Sequence, residues 1–395
     1  MRFLAAKQPL KANIFGQDFR LMNLDPGIEN LEDILVTDDF SASELFSRHQ
    51  GLLLEVKFDI HNINGFPRIV NKLSDIKSGG RILIIRNGGI GDHIMFLPIL
   101  GVFREMLLEK SEIWLSTQKE KHSIFSNNRN INKLYSMPLR LDTVLEADYL
   151  IDFSGRIDSY EFTHLNMTDY FLNLLEIDYN KVKNKTPKIK WDRRKSHKIF
   201  ESFNAVRKAN ANKPTVLLNW KASNRLRDLP PDKLLSLAEN FENVLFVVAQ
   251  PKKAAEDTAR LLKGYGSHVL DFSPYMDSLE DYITITANCD AIVSTDTGTS
   301  HLAEALGKPS LTIYGPIDGN LRIFYYNKAF AITAEYLGKT CQSPCGLSKC
   351  DGGCREAILM GTSYSPCLLS IPNEIIHQHF KKFCDKILKI SGYRF

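Results

Sequence analysis

The strongest constraint on the fold is one stretch, RILIIRNGGIGDHIMFLPIL, at residues 81–100. RILIIR (81–86) is a continuous run of branched aliphatics, the pattern of a parallel strand covered on both faces. Ile94, Leu97, Leu100, Val102 and Phe103 then form an apolar helical stripe. Gly88, Gly89 and Gly91 lie between the two, so a buried strand passes into an apolar helix through a tight glycine turn. A strand–turn–helix unit of this kind predicts a doubly wound α/β domain. The turn is no P-loop, because G-x-x-x-x-G-K-[ST] is absent, and it is a poor dinucleotide fingerprint, because Ile94 occupies the third glycine position. Asp92 falls in the first helical turn, where unpaired amides favour its anion. It reads either as a cap or as a general base aimed into a cleft.

Strands and helices alternate beyond this point. EIWLST (112–117) and YLIDFSG (149–155) read as buried strands, and TDYFLNLLEI (168–177) reads as a helix. Upstream, GLLLEVKFDI (51–60) predicts a strand and FPRIVNKLSDI a short helix. A second series opens at PTVLLNW (214–220). It continues through a proline-opened helix (230–241), VLFVVA (244–249), a glycine-ended helix (256–264), a helix capped by Ser278, and the AIVST and SLTIYG strands. A last helix is expected near 373–390. From Lys181 to Lys198 there are nine Lys/Arg against one Asp, with a single aromatic, Trp191, among them and no repeated aromatic spacing to stack successive bases; this predicts a solvated linker rather than a nucleic-acid surface. The expected division is an extension of unassigned role (1–75), a first Rossmann-like domain (76–195), a linker (196–212), a second Rossmann-like domain with a cysteine-rich loop at 341–367 (213–372), and a closing helix (373–395).

Composition sets the class. At 44% hydrophobic residues and a net charge of +4, the chain has the balance of a globular protein and no excess of charge for nucleic acid. MRFLAAKQPLKANIF lacks a sustained apolar core, and no stretch is long enough for a membrane span. The expectation is a cytoplasmic protein with at most a peripheral association with the inner face of the membrane.

A second motif is STDTGTSHLAEALGKPSLTIYGPID at 294–318. A strand ends at Thr295, and Asp296, Thr297, Gly298, Thr299, Ser300 and His301 form a turn running into a helix. Amides and hydroxyls at such a start suit an anion, and a diphosphate is the natural guest at this edge of a parallel sheet.

Five of the seven cysteines fall in one segment, as C-x3-C-x4-C-x3-C followed by Cys367. Thiols of a chain without export signals stay reduced. Two readings stand: a structural zinc or iron at Cys341, Cys345, Cys350 and Cys354, or reduced thiols in a loop with Cys367 packed in the core.

GGIGDHIMFLPIL together with DTGTSHLAEALGKPSLTIYGPID closely resembles glycosyltransferase family 9, the heptosyltransferases that use ADP-heptose in lipopolysaccharide assembly. The resemblance implies a GT-B fold, two facing Rossmann-like domains with an interdomain cleft, the acceptor on the first and the nucleotide sugar on the second. By this resemblance Asp92 matches the general base and residues 296–301 the loop that holds donor diphosphate and sugar. Arg227 stands where the family has a phosphate-contacting lysine, Lys221 is a second cation nearby, and Leu229 replaces a tryptophan. Some relatives that glycosylate surface autotransporters carry a cysteine-bound iron motif in the region of Cys341–Cys367. The expected activity is an inverting, metal-independent transfer of a sugar, heptose from ADP-heptose being favoured, to a glycan, lipid-linked or protein hydroxyl, with no catalytic cofactor. The alternative is a non-catalytic nucleotide-sugar-binding scaffold, which would keep the 296–301 loop but tolerate loss of Asp92. A nicotinamide-dependent oxidoreductase is a distant third because the fingerprint is broken.

Overall fold

The structure, a computed structural model, describes residues 1–7, 10–14, 17–21, 33–57, 59–154, 164–210, 213–346 and 353–388. The chain forms two compact units, the first made of residues 1–88, 96–162 and 168–184, the second of 89–95, 163–167 and 185–395.

In chain order the first unit carries β1 (Arg2–Ala6), β2 (Leu10–Ile14), β3 (Gln17–Leu21), β4 (Leu35–Thr37), β5 (Leu53–Val56), β6 (Arg68–Ile69), β7 (Arg81–Ile85), β8 (Glu112–Thr117), β9 (Lys133–Ser136), β10 (Leu139–Arg140) and β11 (Tyr149–Asp152). β6–β11–β7–β8–β9 is a parallel five-stranded sheet. Ile82, Leu83, Ile84 and Ile85 of its central strand are all buried, as the unbroken apolar run requires of a strand covered on both faces. The extension is not an appendage of loose chain. β10–β4–β1–β5 is a four-stranded antiparallel sheet, and β2–β3 a hairpin. Phe3, Ile34 and Val36 of that sheet share one apolar core with Leu83, Ile85 and Trp114 of the parallel sheet.

The second unit carries β12 (Thr215–Asn219), β13 (Leu245–Val248), β14 (Val269–Asp271), β15 (Ala291–Thr295), β16 (Ser310–Tyr314) and β17 (Ala329–Thr333) in a parallel sheet ordered β14–β13–β12–β15–β16–β17. Counted from β12 this is the doubly wound order 3-2-1-4-5-6. Val216 and Leu218 pack on one face with Val293 and Ile313, whereas Leu217 packs on the other with Val247, Ile292 and Phe203. Two cores on one sheet explain why these strands read as continuous hydrophobic runs. No helix among the described residues is long and apolar enough to cross a membrane.

Two local expectations are corrected. FPRIVNKLSDI forms the short edge strand β6 and a 3-10 turn at Leu73–Asp75 instead of a helix. Its buried Val70, Leu73 and Ile76 recur every third residue, and β6 pairs with β11 at the sheet edge, so tertiary pairing overrides a helix-like period. Residues expected to form a linker instead include the helix His197–Ala209. Its Phe203 is buried on the second sheet, with Ile199 and Val206 packed against the same core.

Candidate functional site

The site lies where the strand order of the second sheet reverses, at the carboxyl ends of β12 and β15, the place where ligands bind open α/β sheets. β15 ends at Thr295, Asp296 donates its amide to Ile313 O at 3.1 Å, and Thr297 takes an extended conformation before the helix Gly298–Ala305. The hydroxyls here are less available than the sequence suggests. Ser300 Oγ donates to Thr297 O at 2.8 Å. Thr299 Oγ1 accepts from Asn219 Nδ2 at 2.6 Å and bonds to Tyr282 Oη at 2.7 Å. Gln250 Nε2 in turn donates to Asn219 Oδ1 at 3.3 Å. This buried network ties the ends of β12 and β13 to the helix start, which leaves the amides of Gly298 and Thr299, without intrahelical acceptors, as the groups an anion would meet there.

The glycine turn that follows β7 meets this helix start directly. A Cβ on Gly91 would lie 2.6 Å from His301 Cδ2, and a Cβ on Gly298 would lie 2.8 Å from Ile90 Cβ and 3.0 Å from the Gly91 amide nitrogen. Two glycines far apart in sequence therefore permit one close contact. Gly88 has a different role: it takes a φ of 143°, which suits glycine alone. Asp92, in the first turn of the helix Ile90–Met106, accepts the Gly89 amide through Oδ2 at 2.6 Å, the acidic half of a capping box. The capping and base readings are thus compatible, since the bond orients the carboxylate and leaves Oδ1 outside the capping contact.

Arg227 sits at the edge of the same loop. Its Nη1 donates to Asp296 O at 3.1 Å and lies 3.6 Å from Asp296 Oδ2, and its Nη2 donates to Ser223 Oγ at 2.9 Å. Its buried Nε has no hydrogen-bond partner among the described residues. Lys221 pairs with the buried carboxylate of Asp228 at 2.8 Å, and that carboxylate also accepts the Ala222 amide at 2.8 Å. Leu229 is fully buried in the apolar core and donates its amide to Trp220 O at 3.0 Å, so it braces the loop from below.

His301 is buried, and Nδ1 bonds to Tyr326 Oη at 2.6 Å. Burial pushes its pKa down to about 4, against the attraction of Asp296 and Asp92 and with the help of Arg322 and Arg227. It is therefore neutral near pH 7. Tyr326, Asn219, Gln250 and Tyr282 carry no motif signal of their own. Only the positions of Asn219 and Gln250 at strand ends could have flagged them.

The cysteine loop is separate from this constellation. Cys350 lies outside the described residues. Cys341, Cys345 and Cys354 each act electrostatically on Cys367, whose thiol is pushed up to about 12 mainly by burial. Cys341 is raised for the same reasons, burial first and then Cys345 and Cys354. The buried Cys367 thus shares a field with the loop cysteines, although no three His, Cys, Asp or Glu among the described residues converge as a metal cage. The donor type fits zinc or iron.

The family model of glycosyltransferase family 9 (heptosyltransferase) matches residues 163–349. Lipopolysaccharide heptosyltransferase 1 of Salmonella typhimurium is 44% identical over 62 residues, 16% of this chain and 19% of that protein. The chain thus spans about a fifth of the length of the first curated relatives it matches. Lipopolysaccharide heptosyltransferase 1 of Campylobacter coli is 25% identical over 60% of this chain and 84% of its own length. Among solved structures, Escherichia coli ADP-heptose lipopolysaccharide heptosyltransferase II superposes with a TM-score of 0.59 at 14% identity, covering 78% of this chain and 99% of that one. The iron-containing dodecameric glycosyltransferase TibC of enterotoxigenic Escherichia coli superposes with a TM-score of 0.52 at 10% identity, covering 85% and 79%. The fold is that of the GT-B heptosyltransferases.

Proposed function

We propose, for a chain whose residues 163–349 match the family model of glycosyltransferase family 9, that it belongs to that family and transfers a sugar, heptose from ADP-heptose by preference, from a nucleoside diphosphate to a hydroxyl of a glycan, lipid-linked or protein acceptor. The observation that carries this reading is the contact of the two glycine turns. Gly91 against His301 and Gly298 against Ile90 bring the Asp92 turn to the anion-binding helix start. A base and a diphosphate cradle in contact are what a displacement at an anomeric carbon needs.

In the proposed step Asp92 takes the proton of the acceptor hydroxyl while its oxygen bonds to the anomeric carbon. The bond from that carbon to the diphosphate oxygen breaks, and the nucleoside diphosphate leaves with the electron pair. Attack opposite the leaving group inverts the centre. The helix-start amides of Gly298 and Thr299 and the guanidinium of Arg227 meet the charge that develops on the leaving oxygens. Lys221, held by Asp228, supports the same edge electrostatically. No step uses a metal or an organic cofactor. The cysteine loop is proposed to hold a structural zinc or iron through Cys341, Cys345, Cys350 and Cys354, an ion whose chemistry there would be ordering of the loop. The reaction is proposed to take place in the cytoplasm or at the inner face of the membrane.

The test pairs Asp92→Asn with ligand-induced thermal shift. The variant should lose about two to four orders of magnitude in turnover of a nucleotide sugar. It should still be stabilised by ADP as the parent is, because a ligand raises the melting temperature of the state it binds. Unchanged turnover would remove Asp92 as the base and favour the scaffold reading. A parent chain that neither ADP nor any nucleotide sugar stabilises would end the transferase reading.

A further inference from the structure

The sequence motif ends its interest at His301, but the structure adds a residue 25 positions away. His301 Nδ1 and Tyr326 Oη are 2.6 Å apart, with the rings edge to face at 83° and 5.7 Å between centroids. The Tyr326 segment is fixed by the same helix that carries His301. Glu304, one turn along, is buried and accepts the Asn327 amide at 3.0 Å and the Lys328 amide at 3.4 Å. The other edge of the imidazole faces the glycine turn: a Cβ on Gly91 would lie 2.6 Å from Cδ2 and 3.3 Å from Nε2.

We propose that Tyr326 is a positioning residue whose hydroxyl donates to Nδ1 of His301 and so fixes the tautomer in which Nε2 carries the proton, a neutral N–H donor beside the Asp92 turn. The chemistry of the two partners gives the direction. A phenol is a stronger donor than acceptor, and an imidazole nitrogen with a free lone pair is a strong acceptor. Tyr326 keeps its proton, because burial raises its pKa well above the ordinary value. A ring with one nitrogen so occupied must carry its single proton on the other.

The consequence for the reaction rests on the transferase reading above. Diphosphate and sugar-ring oxygens present only lone pairs, so a bare Nε2 would repel them, whereas Nε2–H binds them; a sugar hydroxyl can meet either form. A charged imidazolium would instead stabilise the Asp92 anion and weaken it as a base. The ionisable groups around the ring are Asp296 and Asp92, which favour the cation, and Arg322 and Arg227, which oppose it; burial, with the two arginines, outweighs the two carboxylates. Tyr326 then selects between the two neutral forms, which burial cannot do.

The test labels the full chain with [15N]histidine and reads the two ring nitrogens through two-bond proton–nitrogen correlations, His301 being assigned by its disappearance in His301→Gln. In the parent, Nδ1 of His301 should be unprotonated and Nε2 protonated, unchanged from about pH 5.5 to 8. In Tyr326→Phe the tautomers should mix and kcat should fall about tenfold with the KM for nucleotide sugar within about twofold. A protonated Nδ1 in the parent overturns the proposal without any variant, as does Tyr326→Phe with the parent's tautomer and kcat. If the spectrum is as expected while no nucleotide sugar is turned over, the role of Tyr326 in setting the tautomer stands and the transferase reading falls.

Discussion

At Gly91 the limiting contact is with one carbon of an imidazole that cannot retreat, because Tyr326 holds its far side. Gly91→Ala gains helix propensity in the first turn of Ile90–Met106, worth about 1 kcal/mol. Against that, a methyl group 2.6 Å from His301 Cδ2 forces the ring or the turn to move, at a cost of about 1–3 kcal/mol. We expect a net loss of stability in urea unfolding and a loss of transfer. Gly89→Ala is the control, since its Cβ would meet only Asp92 Oδ2 at 3.4 Å, and its midpoint should stay near the parent's. Equal effects of the two substitutions would mean that helix-end backbone, not the His301 contact, explains Gly91. The three glycines of the turn were legible in sequence, but their separate jobs were not. Gly88 answers to a dihedral and Gly91 to a neighbour more than two hundred residues away.

At the scale of the element, the helix Gly298–Ala305 begins where the ends of β12 and β13 and the helix Leu279–Asn288 are laced together. Thr299 accepts from Asn219 and bonds to Tyr282, and Asn219 accepts from Gln250 and from the Lys221 amide. Thr299→Val keeps the side-chain shape and removes the shared oxygen, which leaves the buried Asn219 amide and Tyr282 hydroxyl each short of a partner. The expected cost is about 1–3 kcal/mol, read as a lower thermal midpoint, with the ADP-induced rise in midpoint preserved. A normal midpoint with a lost ADP response would instead make the hydroxyl a ligand contact. The helix start itself was readable from Gly298 and the hydroxyl-rich run. The lacing was not, because Asn219, Gln250 and Tyr282 belong to segments that only sheet pairing brings together. Where a local signal was self-sufficient it held: Ser278 Oγ accepts the Asp281 amide at 3.2 Å at the head of the helix Leu279–Asn288.

For the whole molecule, the cysteine-rich loop tests whether a fold of this kind carries an added ion. Glu356 already orders part of the loop, accepting the Lys339 and Thr340 amides at 2.8 Å each. Thiols bind metal as thiolates with release of protons, so an ion at the loop would have to displace the protons that burial holds on Cys341 and Cys367. Metal analysis of the purified chain should find about one zinc or iron per molecule, lost on Cys345→Ser with a fall in thermal midpoint. A metal-free parent with an unchanged midpoint in the variant would leave the thiols as packing groups. Cys367→Ser decides whether the buried fifth cysteine joins the site, which its shared field with the other three supports.

Local chemistry in the sequence determined the α/β class, the two parallel sheets, the glycine turn after β7 and the helix start after β15. Each of these is decided within about fifteen residues by apolar period, turn residues and caps, and so is written where it acts. The sequence also pointed to Asp92 and the 296–301 loop, by family resemblance the base and the donor loop of one site. Only the tertiary structure brings the Asp92 turn against that helix start, makes Thr299 a brace rather than an exposed hydroxyl, and sets Tyr326 against His301. Those facts depend on which strand ends become neighbours in the sheet and on a close approach between glycines 207 positions apart, from Gly91 to Gly298. Long-range packing selects such contacts, and no local pattern encodes them.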